Sequence, residues 1–272
     1  MYDCKLLCYV FFYLCGRKGA RFFKMELTDL HCHILPAMDD GSPDLETSVA
    51  MAKMAYASGV TTIAATPHSN VEDDNMALRC RSIRHRAAML QDALSQNRIP
   101  VKILTGMELF IRDNLPEIIE SESFMPLGKT NYLLGEFDFG EDGGYMDEAL
   151  TYIMKSGINP VLAHPERYAA VQREPLWVAR WFEKGVIIQV NKGSLLGRFG
   201  RGPHMAADWI LRHGLAHIVA SDAHGTERRT PDMTEVFDCI SSNYSERYAE
   251  VLLSENPGLI AAGKPVLPPK ER

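Results

Sequence analysis

One arrangement governs what this chain can fold into: short β-branched runs alternate with longer segments whose apolar residues recur every three or four positions, and each run ends on polar residues. The runs span residues 27–30, 60–66, 101–105, 132–135, 160–163, 186–190 and 217–221. Helical patterns fill 45–58, 75–96, 145–156, 175–184 and 204–213, and Gly59, Gly157, Gly185 and Gly214 stand where left-handed C-caps would close such helices. Repeated βα units predict an α/β fold with parallel strands. A seven-stranded βα barrel is expected rather than an open doubly wound sheet, because a barrel brings the C-terminal ends of all its strands to one rim.

That rim would be crowded with ligand chemistry. His31, His33 and Asp40 follow the first run, His68 the second and Glu108 the third. Glu136 ends the fourth, His164 the fifth, Asn191 the sixth, and Asp222 and His224 the seventh. An extended His-x-His points both imidazoles to one face, since side chains alternate along a strand. Any one of these residues alone reads as a solvated loop residue. Together, the carboxylates and imidazoles would repel one another and lose solvation unless cations neutralised them. So many donors imply two or three divalent ions of the manganese, iron or zinc kind, and clustered ions suit hydrolysis by a metal-activated hydroxide. Arg167 and Arg229 could offer the planar fork that phosphoryl oxygens prefer, although either alone would pass for a surface ion pair.

Composition narrows the setting. With 35 acidic against 29 basic residues the formal charge is −6, which offers nothing to nucleic acid. Six cysteines without a Cys-x-x-Cys pair give no disulfide or zinc-finger framework and point to a reducing, cytoplasmic location. Residues 1–24 contain a short apolar run, too short to span a bilayer and followed rather than preceded by basic residues. They are expected to be an extension outside the domain, or a start assigned upstream of Met25. The domain is expected over residues 25–265, with an extended tail at 266–272.

The strings DLHCH, PAMDDG, TTIAATPH, GMEL, AHPERY and VASDAHG resemble the PHP (polymerase and histidinol phosphatase) superfamily. DDG, Glu136 and HPERY are similar within it to the manganese-dependent tyrosine-protein phosphatases of bacterial capsular and exopolysaccharide synthesis. The resemblance implies a distorted seven-stranded (β/α)7 barrel of PHP type holding three divalent metal ions, manganese with iron or zinc as alternatives. It would place one ion on His31, His33, Glu108 and Asp222. Glu108 would bridge to a second ion on Glu136 and His164, and Asp40, His68 and His224 would hold the third. Arg167 and Arg229 match the phosphate-binding arginines. The implied substrate is phosphotyrosine on a partner protein, the tail of a membrane-bound tyrosine kinase, which would bring the phosphatase to the inner face of the membrane. Cys32 stands where the family commonly has a small polar residue, and family members lack the leader before Met25.

Other readings compete. Cys-x5-Arg, the spacing of cysteine-dependent phosphatases, occurs at Cys15–Arg21 and Cys80–Arg86, but the second lies in a helical pattern without a glycine turn to cradle phosphate. A PHP enzyme for histidinol phosphate or nucleotides would share the ligand set. An amidohydrolase would want a carbamylated lysine where Glu136 stands. A kinase-binding regulatory module would be expected to have lost a ligand.

Overall fold

The computed structural model describes residues 25–70 and 75–269; the leader expected over 1–24, with its Cys15–Arg21 spacing, and the last three tail residues lie outside them. Among the described residues the β-branched runs form parallel strands. β1 (Leu27–Cys32), β2 (Val60–Ala65) and β3 (Lys102–Thr105) make one sheet in that order. β4 (Glu108–Phe110), β5 (Tyr132–Glu136), β6 (Asn159–Ala163), β7 (Ile187–Asn191) and β8 (Ile218–Ala220) make a second.

The expected seven strands are therefore eight, in two sheets, because the third run is broken. β3 pairs with β2 through Thr62–Lys102 to Ala65–Thr105, and the same register resumes as a bridge between His68 and Glu108. Pro67, which has no N–H to give to a ladder, lies in the gap on one side. Gly106 lies opposite, where a Cβ would meet Thr66 Cγ2 at 3.0 Å and Leu127 Cδ2 at 3.1 Å. Glu108 thus heads a new strand instead of trailing the third. A second bridge, Cys32 to Ala223, joins the end of β1 to the chain just beyond β8.

The helices are α1 (Leu45–Ala57), α2 (Met76–Gln96), α3 (Leu115–Glu120), α4 (Gly143–Lys155), α5 (Ala169–Arg173), α6 (Leu176–Lys184), α7 (Lys192–Leu195), α8 (Arg201–Arg212), α9 (Thr234–Asn243), α10 (Glu246–Glu250) and α11 (Asn256–Ala261). Local chemistry sets their ends. The Asp44 carboxylate accepts from Thr47 N at 2.8 Å to start α1, and Gly185, at φ 96°, closes α6 in the left-handed region.

Apolar packing forms two clusters. The larger lies between strands and helices, where Met51, Ile83, Leu90, Trp181 and Ile210 are fully buried. The smaller joins Leu30 and Ala64 of the first sheet to Leu134, Val161, Ile187 and Ile218 of the second. Side chains from both sheets thus meet in one layer. The register of β1 slips between Asp29 and Cys32, where three residue steps face two on β2. Such a bulge re-aims side chains, so Leu30 joins the apolar layer while the neighbouring His31 reaches the polar one.

Candidate metal centre

All nine ligand-type residues named from the sequence converge. Glu108, fully buried at the head of β4, is the hub. Its Oε2 lies 3.1 Å from His31 Nε2, 3.2 Å from His33 Nε2 and 3.0 Å from His68 Nδ1, and its Oε1 lies 3.0 Å from His164 Nε2. Asp222 Oδ1 adds contacts of 3.4 Å to His31 Nε2, 3.5 Å to His33 Nε2 and 3.6 Å to His224 Nδ1. Asp40 Oδ1 faces His68 Nε2 at 3.5 Å and His224 Nε2 at 3.4 Å. Glu136 departs from the grouping that the resemblance implied. It lies 2.9 Å from His68 Nδ1 but 3.8 Å from His164 Nε2, so donors within reach of a single ion here group as His68, Glu108 and Glu136. The other groups are His31, Glu108 and His164; His31, His33 and Asp222; and His33, Asp40, His68 and His224.

The donor set fits divalent cations. Glu108 Oε2, Asp222 Oδ1 and His224 Nε2 are buried and make no hydrogen bond of good geometry, although charged neighbours crowd around them. Such orphaned, convergent lone pairs are costly unless a cation meets them. Electrostatics says the same. Burial pushes His33 toward the neutral form, yet its close contacts with the Asp222, Asp39 and Glu108 carboxylates prevail and hold its pKa well above the usual value. Burial opposes charging of His68 as well, and its contacts with the Glu108 and Glu136 carboxylates raise it to about 10. Burial opposes ionisation of Glu108 and Asp222 too, but the neighbouring His31 charge leads the interactions that hold both carboxyls well below the usual range. In the metal-free chain, protons on imidazoles supply the positive charge that ions would otherwise bring.

Backbone geometry holds the donors in place. His164, Asp222 and Arg229 all have left-handed φ, at 36°, 49° and 46°, a conformation that costs a non-glycine residue about 1–3 kcal/mol. Neighbours secure each. Asp222 N donates to His31 O at 2.8 Å, His164 N to Gln189 Oε1 at 3.3 Å, and Arg229 Nε to Asp222 O at 3.2 Å. Arg79, on α2, donates through Nε to His68 O at 2.6 Å and through Nη2 to Met38 O at 3.1 Å, tying two ligand loops together. Gly41 is required: a Cβ there would stand 2.3 Å from His33 O.

The two arginines stand at the edge of the cluster, on Asp222. Arg229 Nη2 is 2.5 Å from Asp222 Oδ1 and Arg167 Nη1 3.5 Å from Oδ2, with side chains 29% and 19% exposed, so both remain reachable from solvent. Cys80 and Arg86 lie along α2, and Arg86 is engaged with Pro36 O at 2.6 Å, so that spacing makes no phosphate cradle.

Residues 27–262 match the family described as capsular polysaccharide synthesis, CpsB/CapC. The chain belongs to the CpsB/CapC family. It is 33% identical to the tyrosine-protein phosphatase YwqE of Bacillus subtilis over 86% of this chain and 91% of that protein. It is 29% identical to the tyrosine-protein phosphatase CpsB of Streptococcus pneumoniae over 85% and 96%. A crystal structure from work on YwqE and CpsB, described there as metal-dependent tyrosine phosphatases, superimposes with a TM-score of 0.80 at 31% identity, covering 89% of this chain and 96% of that one. A lactonase from Listeria monocytogenes shares only the fold, with a TM-score of 0.58 at 12% identity over 89% of this chain and 96% of that one.

In this CpsB/CapC chain several residues outside the nine shape the site. Asp39 Oδ2 accepts from His33 Nδ1 at 2.7 Å and from His68 N at 3.0 Å, and Gln189 Oε1 accepts from His31 Nδ1 at 3.0 Å. The contacts to His33 and His31 occupy Nδ1 and leave Nε2 facing the cluster. Asp29, the first residue of DLHCH, is no ligand: it accepts from Ser221 N at 3.0 Å and fixes the residue before Asp222. Asn191 Nδ2 donates to Asp222 Oδ2 at 2.5 Å. Lys192, 1% exposed, donates to the carbonyls of Thr230 and Asp232, clamping the loop that carries Arg229. A glutamine between Ile188 and Val190 in an otherwise apolar strand was the available sign of Gln189.

Proposed function

We propose that this chain is a metal-dependent protein-tyrosine phosphatase whose substrate is the phosphorylated tail of a tyrosine kinase that regulates capsular or exopolysaccharide synthesis. The observation that carries the reading is the meeting of the nine donors with Arg167 and Arg229 on Asp222. The relatives named as tyrosine-protein phosphatases support the substrate class. The two parallel sheets, bridged at both ends and sharing one apolar layer, are read as the distorted barrel of PHP type. Three ions, manganese with iron or zinc as alternatives, are assigned to His31, His33, Asp40, His68, Glu108, Glu136, His164, Asp222 and His224. A cytoplasmic site of action at the inner face of the membrane follows from a kinase partner; among the described residues no helix is long and apolar enough to cross a membrane.

Divalent ions bound there would activate water at neutral pH and neutralise charge on the phosphoryl group. The chain's own residues do the rest. Arg167 and Arg229 bind the equatorial phosphoryl oxygens and hold phosphorus in line for displacement. Asp39 and Gln189 fix the imidazole orientations, so the donors need no rearrangement during the reaction. A tyrosine leaving group, with a pKa of about 10, departs with little help from a general acid.

The test is hydrolysis by the manganese-loaded protein of a phosphotyrosyl peptide, histidinol phosphate and short oligonucleotides. Preference for the peptide is expected. Preference for either of the others would move the chain to a different phosphoesterase activity, and absence of any turnover with metal bound would favour a regulatory module.

A further inference from the structure

Phe139, 44% exposed, is the one phenylalanine among the exposed large apolar side chains of the described residues, and it lies beside the charged cluster. It lies in the loop between β5 and α4, three residues beyond Glu136, and its carbonyl accepts from Ala169 N at 2.8 Å, so the loop is anchored. Its ring centroid is 5.9 Å from that of His164 and 6.1 Å from that of Tyr168. The Arg167 guanidinium carbon lies over this ring at 4.3 Å and over Phe199 at 4.7 Å, and that of Arg229 lies over Phe199 at 5.9 Å. Phe199 follows α7 and packs against Gly193, where a Cβ would stand 2.5 Å from its Cε2. Two phenyl rings thus flank the arginines assigned to the phosphoryl group.

We propose that Phe139 and Phe199 are specificity-determining residues that receive the aromatic ring of an aryl phosphomonoester while Arg167 and Arg229 hold its phosphoryl group. The inference deepens the phosphatase reading and rests on it. In an aryl ester the ring begins one C–O bond from the phosphoryl group, so a phosphate held at Arg167 brings its ring among the side chains that already touch Arg167. A seryl or threonyl ester offers a single aliphatic carbon and then backbone at that place, and gains little from two rings. A residue needed only to support Arg167 would be buried; Phe139 keeps nearly half its surface open. Offset or edge-on contact between rings adds affinity beyond the area covered, about threefold to tenfold per pair.

The test measures binding of two non-hydrolysable ligands, phenylphosphonate and methylphosphonate, to the metal-loaded protein by calorimetry. The readout is the ratio of their affinities in wild type, Phe139→Leu and Phe199→Leu. Wild type should favour phenylphosphonate by about tenfold, and each variant should bring the ratio toward one, with metal content retained. Equal affinities in wild type would overturn the aryl assignment while leaving phosphoryl recognition intact. Failure of wild type to bind either ligand would instead remove the phosphatase reading beneath it. If both affinities fell in step in Phe139→Leu, that residue would only support Arg167, and the proposal would fail. Phe139→Leu, at a half-open position, guards against loss of folding in Phe199→Leu, whose ring is packed on Gly193.

Discussion

The Asp39 carboxylate accepts from His33 Nδ1 at 2.7 Å and turns that imidazole so that its Nε2 faces Glu108 and Asp222. Asp39 stands beside Asp40 in sequence, yet the two do different work. Asp39→Ala is expected to weaken metal binding by about 10–100-fold, the usual effect of losing a carboxylate behind a ligating histidine. Competition with a chelating dye measures it, and unaltered affinity would remove Asp39 from the support of the centre.

Lys192 and Arg229 should behave as one unit. Arg229→Ala is expected to lower kcat/KM more than about tenfold with metal content retained, since the side chain is proposed to bind phosphate and is not among the candidate metal donors. Lys192→Met frees the loop at Thr230 and Asp232 and should lower kcat/KM by a similar factor. The double variant should be little worse than Arg229→Ala alone; additive losses would mean that Lys192 acts elsewhere.

Metal removal and thiol modification should separate cleanly. Cys32 and Cys80 are buried, and burial raises both thiols, so neither resembles an activated thiolate. EDTA should abolish turnover, with recovery on adding manganese, while iodoacetamide should change kcat/KM by less than about twofold. Loss of activity on alkylation, prevented by inorganic phosphate, would restore a cysteine mechanism.

Acid stability offers a test of the fold away from the metal centre. His217 is buried, stacks on Phe182 at 4.7 Å between ring centroids and accepts from Ile188 N at 3.0 Å; burial pushes its pKa down to about 4. Between that value and the ordinary 6.5 the unfolded chain binds a proton that the folded chain refuses, so stability falls as pH falls through this window. The full effect is about 3 kcal/mol. Urea midpoints of wild type and His217→Asn, both metal-free, should converge as pH drops from 7 to 4, roughly the span of the shift. Parallel pH profiles would show that His217 does not carry this dependence.

The candidate ligands were legible in sequence because metal chemistry restricts such donors to few residue types, and a βα repeat puts those types directly after strands. His31, His68 and His164 needed only that rule. The broken third strand was harder to see: Gly106 and Pro67 read as ordinary strand-end residues until the register across both sheets shows them facing one gap. Grouping Glu136 with His68 rather than His164 depends on 2.9 Å against 3.8 Å between loops, a difference that no spacing encodes. Phe139 and Phe199 gave no sign at all, since a lone aromatic in a loop becomes informative only when its neighbours are known.

Both bridges between the three-stranded and five-stranded sheets fall among the proposed ligands. His68 pairs with Glu108 at one seam, and Cys32, between His31 and His33, pairs with Ala223, between Asp222 and His224, at the other. Ions held there would rivet the two sheets together at both of these seams. Cation loading would then add to the closure of the fold, so scarcity of the metal would silence the enzyme by loosening its frame as well as by removing its chemistry.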